Sequence, residues 1–313
     1  MRDAWLELDT STADVSALDG RHPVGVVLAC CVQLATVLPL LRDNGHPLAG
    51  AVEAGDAVVA LAATDDVGAG SDLMSMGTTA KLSDSSVAVS GVKRWITNAC
   101  HASHALVLAR HKPVRHFTSF CWVLVPLDAP GVRVTPEPTS LFDGAGIGAI
   151  TLDEVVLDRS ALVGPPGRGL ASFAVQVAAE RRAGALWAVA LCRRVLRDVR
   201  ARLGSRALGE GVLWDNAAVR ERFARCVVET WRMAAVSAAA PDMASAMALK
   251  VAVADGLDVV LRECTQLLGA DAFTHGGIAE LRAAVAMFGI AGGAVGAMLA
   301  GVADHADDLL EVR

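Results

Sequence analysis

The chain has 313 residues, of which 53% are hydrophobic and 20% charged, and its formal net charge is −6. That much apolar surface can offset the entropy lost on ordering, so intrinsic disorder is excluded. The acidic balance also excludes a generally basic nucleic-acid binder.

Two uncharged runs, Pro23 to Leu41 and Ala283 to Ala303, are long enough to cross a bilayer. The first contains Gln33 and Thr36 near its centre, and the second is mostly Ala and Gly. Acidic residues follow the second run, where a membrane helix would favour a positive flank on one side. We therefore predict that both runs are buried helices and that the chain has no membrane span.

The seven cysteines are odd in number and scattered, which is typical of reduced thiols. Charged residues come before any apolar stretch at the N-terminus, so no signal peptide is predicted. Together these features predict a cytoplasmic protein. The histidines and cysteines follow no spacing typical of zinc, so no metal site is expected.

Three regions follow one another along the chain. Residues 1–56 have a helical pattern, and residues 57–160 contain short β-type runs separated by turn residues. No helical pattern lies between those strands, which favours an antiparallel barrel or sandwich. Residues 161–313 contain four long helical patterns, at about 170–203, 214–240, 243–268 and from 278 onwards, the last interrupted by glycines. The predicted fold is α+β, mostly α, with a C-terminal four-helix bundle.

Two segments of the β region could bind a ligand. Thr64 to Asp72 is a glycine-containing loop that can offer N–H groups and hydroxyls to a phosphate or a polar ring, although ordinary turns have the same composition. Trp95 and Thr97 are two residues apart, so both side chains are expected on one strand face. That arrangement suits an aromatic cofactor, or else a core tryptophan beside a surface threonine.

Glu180 lies inside the first predicted bundle helix among apolar residues and directly before Arg181. A buried carboxylate there would have a raised pKa and could act as a general base. The alternative is a surface glutamate paired with an arginine.

Five segments carry a family resemblance: Thr64 to Asp72, Gly91 to Asn98, Leu162 to Leu170, Arg200 to Gly204, and Gln266 to Gly269. In this order they resemble motifs of the acyl-CoA dehydrogenases, and Gly-Val-Lys-Arg-Trp-Ile-Thr-Asn matches Gly-x-Lys-x-Trp-Ile-Thr-Asn almost residue for residue. The resemblance implies a helical N-terminal segment, a central β domain, a C-terminal four-helix bundle, bound FAD, and a homodimer or homotetramer, with a hetero-oligomer as a further option.

The resemblance also assigns roles by position. Thr64, Trp95 and Thr97 would contact the flavin ring, and Ser71 would contact its pyrophosphate or the substrate's pantetheine. The residues that would reach the FAD of a neighbouring subunit are Arg200, Gln266 and Gly269.

The base requires a choice between two positions. Most family members carry a catalytic Glu near the C-terminus, where this chain has Gly292 followed by Gly293. A minority, including isovaleryl-type and long-chain-type enzymes, carry it on the first bundle helix before an Arg, which corresponds to Glu180 here. The resemblance therefore implies that Glu180 is the base and that Gly292 and Gly293 border the substrate.

The chain also departs from the family pattern. Its N-terminal helical segment is short, which would open the acyl pocket to a carrier-protein-bound acyl or aminoacyl group as well as to acyl-CoA. The loop from Thr64 to Ser71 is one residue longer than usual, so Asp65 could replace Thr64 in the alignment.

The implied function is FAD-dependent dehydrogenation of an acyl thioester, with an electron-acceptor flavoprotein or oxygen as partner. Two alternatives remain open, because one fold can host several chemistries. They are a flavin oxidase or monooxygenase, and a non-catalytic partner subunit of a full-length relative.

Overall fold

The computed structural model describes residues 1–66, 72–238 and 242–311. The chain divides into two compact units. The first, which we call the sheet unit, comprises Met1–Asp14 and Gly25–Glu180, and the second, the helical unit, comprises Val15–Val24 and Arg181–Arg313. The predicted division at residues 56 and 160 stays a prediction.

The N-terminal region is helical, as predicted. Its helices are α1 Arg2–Trp5, α2 Val24–Val32, α3 Leu38–Asp43 and α4 Leu48–Glu53, with the wider π turn Gln33–Val37 joining α2 to α3. The continuous stretch from Val24 to Asp43 is long and apolar enough to cross a membrane, but 78% of its most apolar window is buried. Such burial is typical of a helix packed in a protein core.

Within the described residues, the β region contains eight strands. They are β1 Val59–Ala62, β2 Thr79–Leu82, β3 Ser86–Ile96, β4 His104–Arg110, β5 Phe120–Pro126, β6 Val132–Pro136, β7 Gly148–Asp158 and β8 Leu162–Val163. Valine, isoleucine and leucine on alternate positions form the core of the sheet, as expected for strands with one buried face.

The strands form one sheet in the order β6-β7-β3-β2-β4-β5-β8, and β1 pairs with β4. Most neighbours are antiparallel, which confirms the predicted central antiparallel domain, while the β1–β4 and β2–β4 pairs are parallel. Strand β2 was not predicted, because its four residues show no clear alternation of apolar and polar side chains.

Two long C-terminal helices begin at residues whose side chains cap them, Asn216 and Asp242. The C-terminal helices are α5 Gly169–Ser205, α6 Ala217–Ser237, α7 Met243–Leu268, α8 Ile278–Val285, α9 Val295–Asp304 and α10 Ala306–Leu310. Asn216 caps α6 by accepting from the N–H of Ala218 at 2.9 Å, so α6 begins three residues later than predicted. Gly269 ends α7 with φ of 61°, a left-handed conformation that favours glycine.

The fourth predicted helix is broken, as its glycines indicated. Helix α8 ends at Val285, a 3₁₀ turn covers Ala286–Gly289, and α9 begins only at Val295. The uncharged run from Ala283 to Ala303 is therefore no continuous helix in the structure. Between α5 and α6, a two-stranded ribbon pairs β9 Ala207–Leu208 with β10 Gly211–Val212.

Candidate functional site

A short segment of the sheet unit, residues 63–66, lies along β3, and we call it the strap. The N–H of Arg94 donates to the carbonyl of Thr64 at 3.1 Å, and the N–H of Asp66 donates to the carbonyl of Val92 at 3.1 Å. The strap therefore sits beside the part of β3 that carries Trp95.

A buried ion pair fastens the strap. The Lys93 ammonium donates to the Asp65 carboxylate at 2.5 Å and to the carbonyl of Ala63 at 3.1 Å, and the two charged side chains are 0% and 7% exposed. Burial lowers the pKa of Lys93 to about 8, against the opposing effect of Asp65. The same carboxylate accepts from the N–H groups of Gly77 and Thr78 and from the Thr78 hydroxyl, at 2.7 to 2.8 Å.

These contacts bear on whether Thr64 or Asp65 occupies the position of the family's ligand-binding threonine. The Asp65 carboxylate is only 7% exposed and is occupied by Lys93, Gly77 and Thr78, so that group is unavailable to an outside ligand. Gly91 belongs to the same arrangement, because a Cβ there would come within 2.4 Å of the Thr78 hydroxyl oxygen. The geometry therefore favours Thr64 over Asp65 as the outward residue of the strap.

Trp95 is held in an uncommon backbone conformation. Its φ is 56°, its surface is 53% exposed, and the β3–β7 register shifts between Lys93 and Ile96. Strand β3 ends at Ile96, so Thr97 already belongs to the following turn. The expectation that Trp95 and Thr97 share one face of a regular strand is wrong, because the bulge breaks the alternation. A bulky residue in left-handed backbone is strained, and such strain clusters at functional sites.

Arg94 stabilises the C-terminal end of β3 through ion pairs of its side chain. Its guanidinium forms a two-bond ion pair with Glu137, at 2.8 and 2.7 Å, and a third contact with Asp66 at 3.3 Å. The hydrogen bonds from Arg94 lower the pKa of Glu137. The pair ties the strap to the segment that follows β6.

Two predicted hydroxyls remain available at this site. Thr64 and Thr97 are half-buried, and neither hydroxyl has a hydrogen-bond partner within the part of the chain that the structure describes. Ser71, the other predicted ligand of this loop, lies outside the described residues.

The helical unit contains the other predicted cofactor residues, near the C-terminal ends of α5 and α7. Arg206 donates to the carbonyl of Leu268 at 3.0 Å, which joins these two helix ends. The guanidinium carbon of Arg200 lies 3.7 Å from the ring centre of Trp214. Arg200, Gln266 and Gly269 therefore lie on helix ends that the structure brings together.

Gln266 is oriented by a neighbouring arginine. Its side-chain oxygen accepts from Arg222 at 2.5 Å, and Arg222 also forms an ion pair with Glu263. The amide N–H₂ of this exposed side chain is then directed away from Arg222. An oriented amide and an exposed glycine backbone are suitable groups for binding a phosphate or a ribose.

Arg181 holds the loop at the C-terminal one of the two alternative base positions. The Arg181 guanidinium donates two hydrogen bonds to the carbonyl of Gly292, at 3.1 and 3.0 Å. Glu180 directly precedes Arg181 on α5 and is half-buried. Gly292 and Gly293 have φ of 69° and 109°, values that other residues rarely adopt.

A second cation holds the same loop. Lys250 of α7 is 8% exposed, and its ammonium donates to the carbonyl of Ala291. Two consecutive carbonyls thus bind cations from two different helices. We call residues 291–293 the clamped loop.

Sequence reasoning missed the Lys93–Asp65 pair, the Trp214 stack and the role of Lys250. Lys93 did give a local signal, because it occupies an inward-facing position of its strand, and a buried lysine needs an acidic partner. In the described ranges, no three His, Cys, Asp or Glu side chains lie close enough together to hold a metal ion.

Residues 60–158 match the family model described as "Acyl-CoA dehydrogenase, middle domain". The acyl-[acyl-carrier-protein] dehydrogenase MbtN of Mycobacterium tuberculosis (strain CDC 1551 / Oshkosh) is 30% identical over 227 residues, which cover 69% of this chain and 57% of that protein. The L-prolyl-[peptidyl-carrier protein] dehydrogenase of Serratia sp. is 27% identical over 172 residues, covering 53% and 44%. The chain spans less than two thirds of the length of these relatives.

Solved structures share the fold. The structure named "FkbI for Biosynthesis of Methoxymalonyl Extender Unit of Fk520 Polyketide Immunosuppresant" has a TM-score of 0.84 at 22% identity and covers 97% of this chain and 86% of its own. The "FAD complex of PigA" has a TM-score of 0.81 at 19% identity, covering 91% and 78%. The matched middle domain and the related sequences show that the chain belongs to the acyl-CoA dehydrogenase family.

Proposed function

We propose that the protein is a FAD-dependent oxidoreductase that dehydrogenates the α,β-bond of an acyl thioester. The observation that carries this proposal is the bond from Arg181 to the Gly292 carbonyl. It holds the loop at one of the two positions at which the family carries its base, and the sequence has a carboxylate only at the other position, Glu180.

The residues present fit a flavin. An exposed indole on strained backbone, such as Trp95, offers a flat apolar face to a ring. The Thr64 and Thr97 hydroxyls are available to its polar edge. On the helical unit, Arg200 is suited to a phosphate because guanidinium groups recognise phosphate oxygens. FAD, when bound, would supply the two-electron acceptor that takes the β-hydrogen as hydride.

Glu180 is the proposed base. Its carboxylate would remove the α-proton of the thioester while the β-hydrogen leaves with its electron pair, so that a carbon–carbon double bond forms. Hydrogen bonds to the thioester carbonyl would stabilise the negative charge that develops on that oxygen. The proposed role of the clamped loop is to border the substrate with Gly292 and Gly293, which add no side chain to the pocket.

The acyl group is proposed to be carried by CoA or by a carrier protein. Carrier-protein substrates are supported by the names of two relatives, the acyl-[acyl-carrier-protein] and L-prolyl-[peptidyl-carrier protein] dehydrogenases. Ser71 is proposed to contact the substrate's pantetheine or the FAD pyrophosphate.

We further propose a cytoplasmic homodimer or homotetramer. In such an assembly Arg200, Gln266 and Gly269 would reach the FAD held by a neighbouring subunit. The proposed electron-accepting partner is a flavoprotein or oxygen.

The test is the behaviour of the purified chain with FAD and oxygen. We expect a yellow protein whose loss of absorbance on addition of acyl thioesters does not depend on oxygen. Rapid oxygen consumption during turnover would instead support an oxidase or monooxygenase. A colourless protein that takes up no added FAD would overturn the proposal and favour a non-catalytic subunit.

A further inference from the structure

Trp214 stacks against a proposed cofactor ligand, Arg200, and has no role in the proposed function. It lies in the 3₁₀ turn Leu213–Asp215, between the ribbon and α6. The Arg200 guanidinium lies over its ring, with the central carbon 3.7 Å from the ring centre. Phe223 packs edge-on against the same indole, with ring centres 5.2 Å apart and planes at 85°.

Gly204 leaves room for this stack. A Cβ at Gly204 would come within 2.7 Å of a terminal nitrogen of Arg200. Gly204 follows Arg200 by one helical turn, so the two residues lie on the same face of α5. The spacing in Arg200-Ala-Arg-Leu-Gly204 therefore has a physical reason: the glycine makes space for the arginine head group.

The charge of Arg200 is not neutralised by a carboxylate within the described part of the chain, whereas Arg202 is paired with Asp271 and Arg222 with Glu263. Stacking occupies the flat face of the guanidinium and leaves its N–H edge for hydrogen bonds. A second arginine, Arg220, lies 5.9 Å from the same ring centre. The cluster thus presents positive charge in a fixed orientation.

We propose that Trp214 is a positioning residue that holds Arg200 ready for the diphosphate group of the bound dinucleotide. This inference rests on the proposed function, because it takes FAD as the ligand. Trp214 acts by stacking, which reduces the rotamer freedom that Arg200 would lose on binding. Arg200 then donates its in-plane N–H groups to diphosphate oxygens.

The experiment measures the dissociation constant of FAD for the full-length chain and its variants by flavin fluorescence. Trp214→Ala should weaken binding about fivefold to tenfold, and Trp214→Phe about twofold. Arg200→Met should weaken it about 30-fold. Arg197→Met, which removes a nearby exposed arginine of α5, and Trp231→Ala, which removes an exposed tryptophan of α6, are the matched controls and should change it less than about twofold.

A double variant separates positioning from general support of the fold. In the Arg200→Met background, Trp214→Ala should have no further effect, because its action passes through Arg200. Full additivity of the two losses would overturn the inference. Gly204→Ala gives an independent route: its Cβ should move Arg200 off the ring and weaken FAD binding about threefold, at an unchanged melting temperature.

The outcomes distinguish the inference from the function on which it rests. A wild-type chain that binds no FAD would overturn both. Wild-type binding with unchanged affinity in Trp214→Ala and Gly204→Ala would overturn the inference alone. Reduced affinity in both variants, with no further loss in the double variant, would support it.

Discussion

The strap of the sheet unit and the clamped loop of the helical unit are both held by cations, but through different partners. In the strap, the ammonium of Lys93 meets the carboxylate of Asp65 with almost no exposure to solvent. In the clamped loop, Arg181 and Lys250 meet main-chain carbonyls. The strap therefore combines a buried side-chain ion pair with main-chain bonds to β3, whereas the cations at the clamped loop bind backbone carbonyls.

This difference determines which substitution should matter in each region. A buried carboxylate that loses its cation is left uncompensated, so the strap depends on its charged residues. A carbonyl can bind a cation only where the backbone presents it, so the loop depends on its glycines. Substitutions in the strap and in the clamped loop test this contrast, from the largest expected effect on stability to the smallest.

Lys93→Met should cause the largest loss. It leaves Asp65 buried without its ammonium partner, and we expect the free energy of unfolding to fall by about 3–5 kcal/mol. Urea unfolding followed by circular dichroism measures this change. Lys81→Met, on the exposed side of β2, is the matched control and should change stability by less than about 0.5 kcal/mol. Equal effects of the two variants would contradict the strap account.

Gly293→Ala should destabilise the clamped loop by about 1–3 kcal/mol. Its φ is 109°, and an added Cβ would lie 2.7 Å from the Met298 methyl carbon and 3.3 Å from Arg181. Gly289→Ala is the matched control, because no atom lies within 4 Å of the corresponding Cβ. Thermal unfolding of both variants tests the contrast, and a loss confined to Gly289→Ala would refute it.

The smallest expected effect is a pH dependence of at most about 1.4 kcal/mol per pH unit. Burial lowers the pKa of Lys93 to about 8 from the ordinary value of 10.5. Between these values the unfolded chain keeps the proton that the folded chain has released, so the contribution of Lys93 to stability rises with pH. The difference in free energy of unfolding between wild type and Lys93→Met should therefore widen from about pH 8 to about pH 10.5. A constant or narrowing difference would contradict the lowered pKa of Lys93.

Much of the fold could be predicted from local signals. Helix α7 has the predicted bounds, Met243–Leu268, because Asp242 caps its start and Gly269 ends it. The polar four-residue strand β2 was missed, since only its pairing with its neighbours identifies it. The left-handed φ of Trp95 was equally unpredictable, because tryptophan has little intrinsic preference for it.

The candidate site likewise has residues that the sequence could predict and contacts that only the fold determines. Motif order identified Glu180, Trp95 and Arg200 as candidates, because motifs are read along the chain. The partners of these segments are distant in sequence: Lys93 pairs with Asp65, and Arg181 bonds to Gly292. The inward-facing position of Lys93 indicates that it needs an acidic partner. Which residue supplies that partner, and the contact of Arg181 with Gly292, depend on the fold that brings distant segments together.

The most direct test of the central claim compares flavin reduction in wild type and Glu180→Gln. Both proteins are loaded with FAD and mixed with a saturated acyl thioester under nitrogen, while flavin absorbance is followed. Glu221→Gln, an exposed glutamate of α6, serves as the matched control. We predict that wild type and Glu221→Gln lose their absorbance, whereas Glu180→Gln binds FAD equally well and keeps its colour, because the α-proton has no acceptor. Bleaching of Glu180→Gln at the wild-type rate would contradict the account.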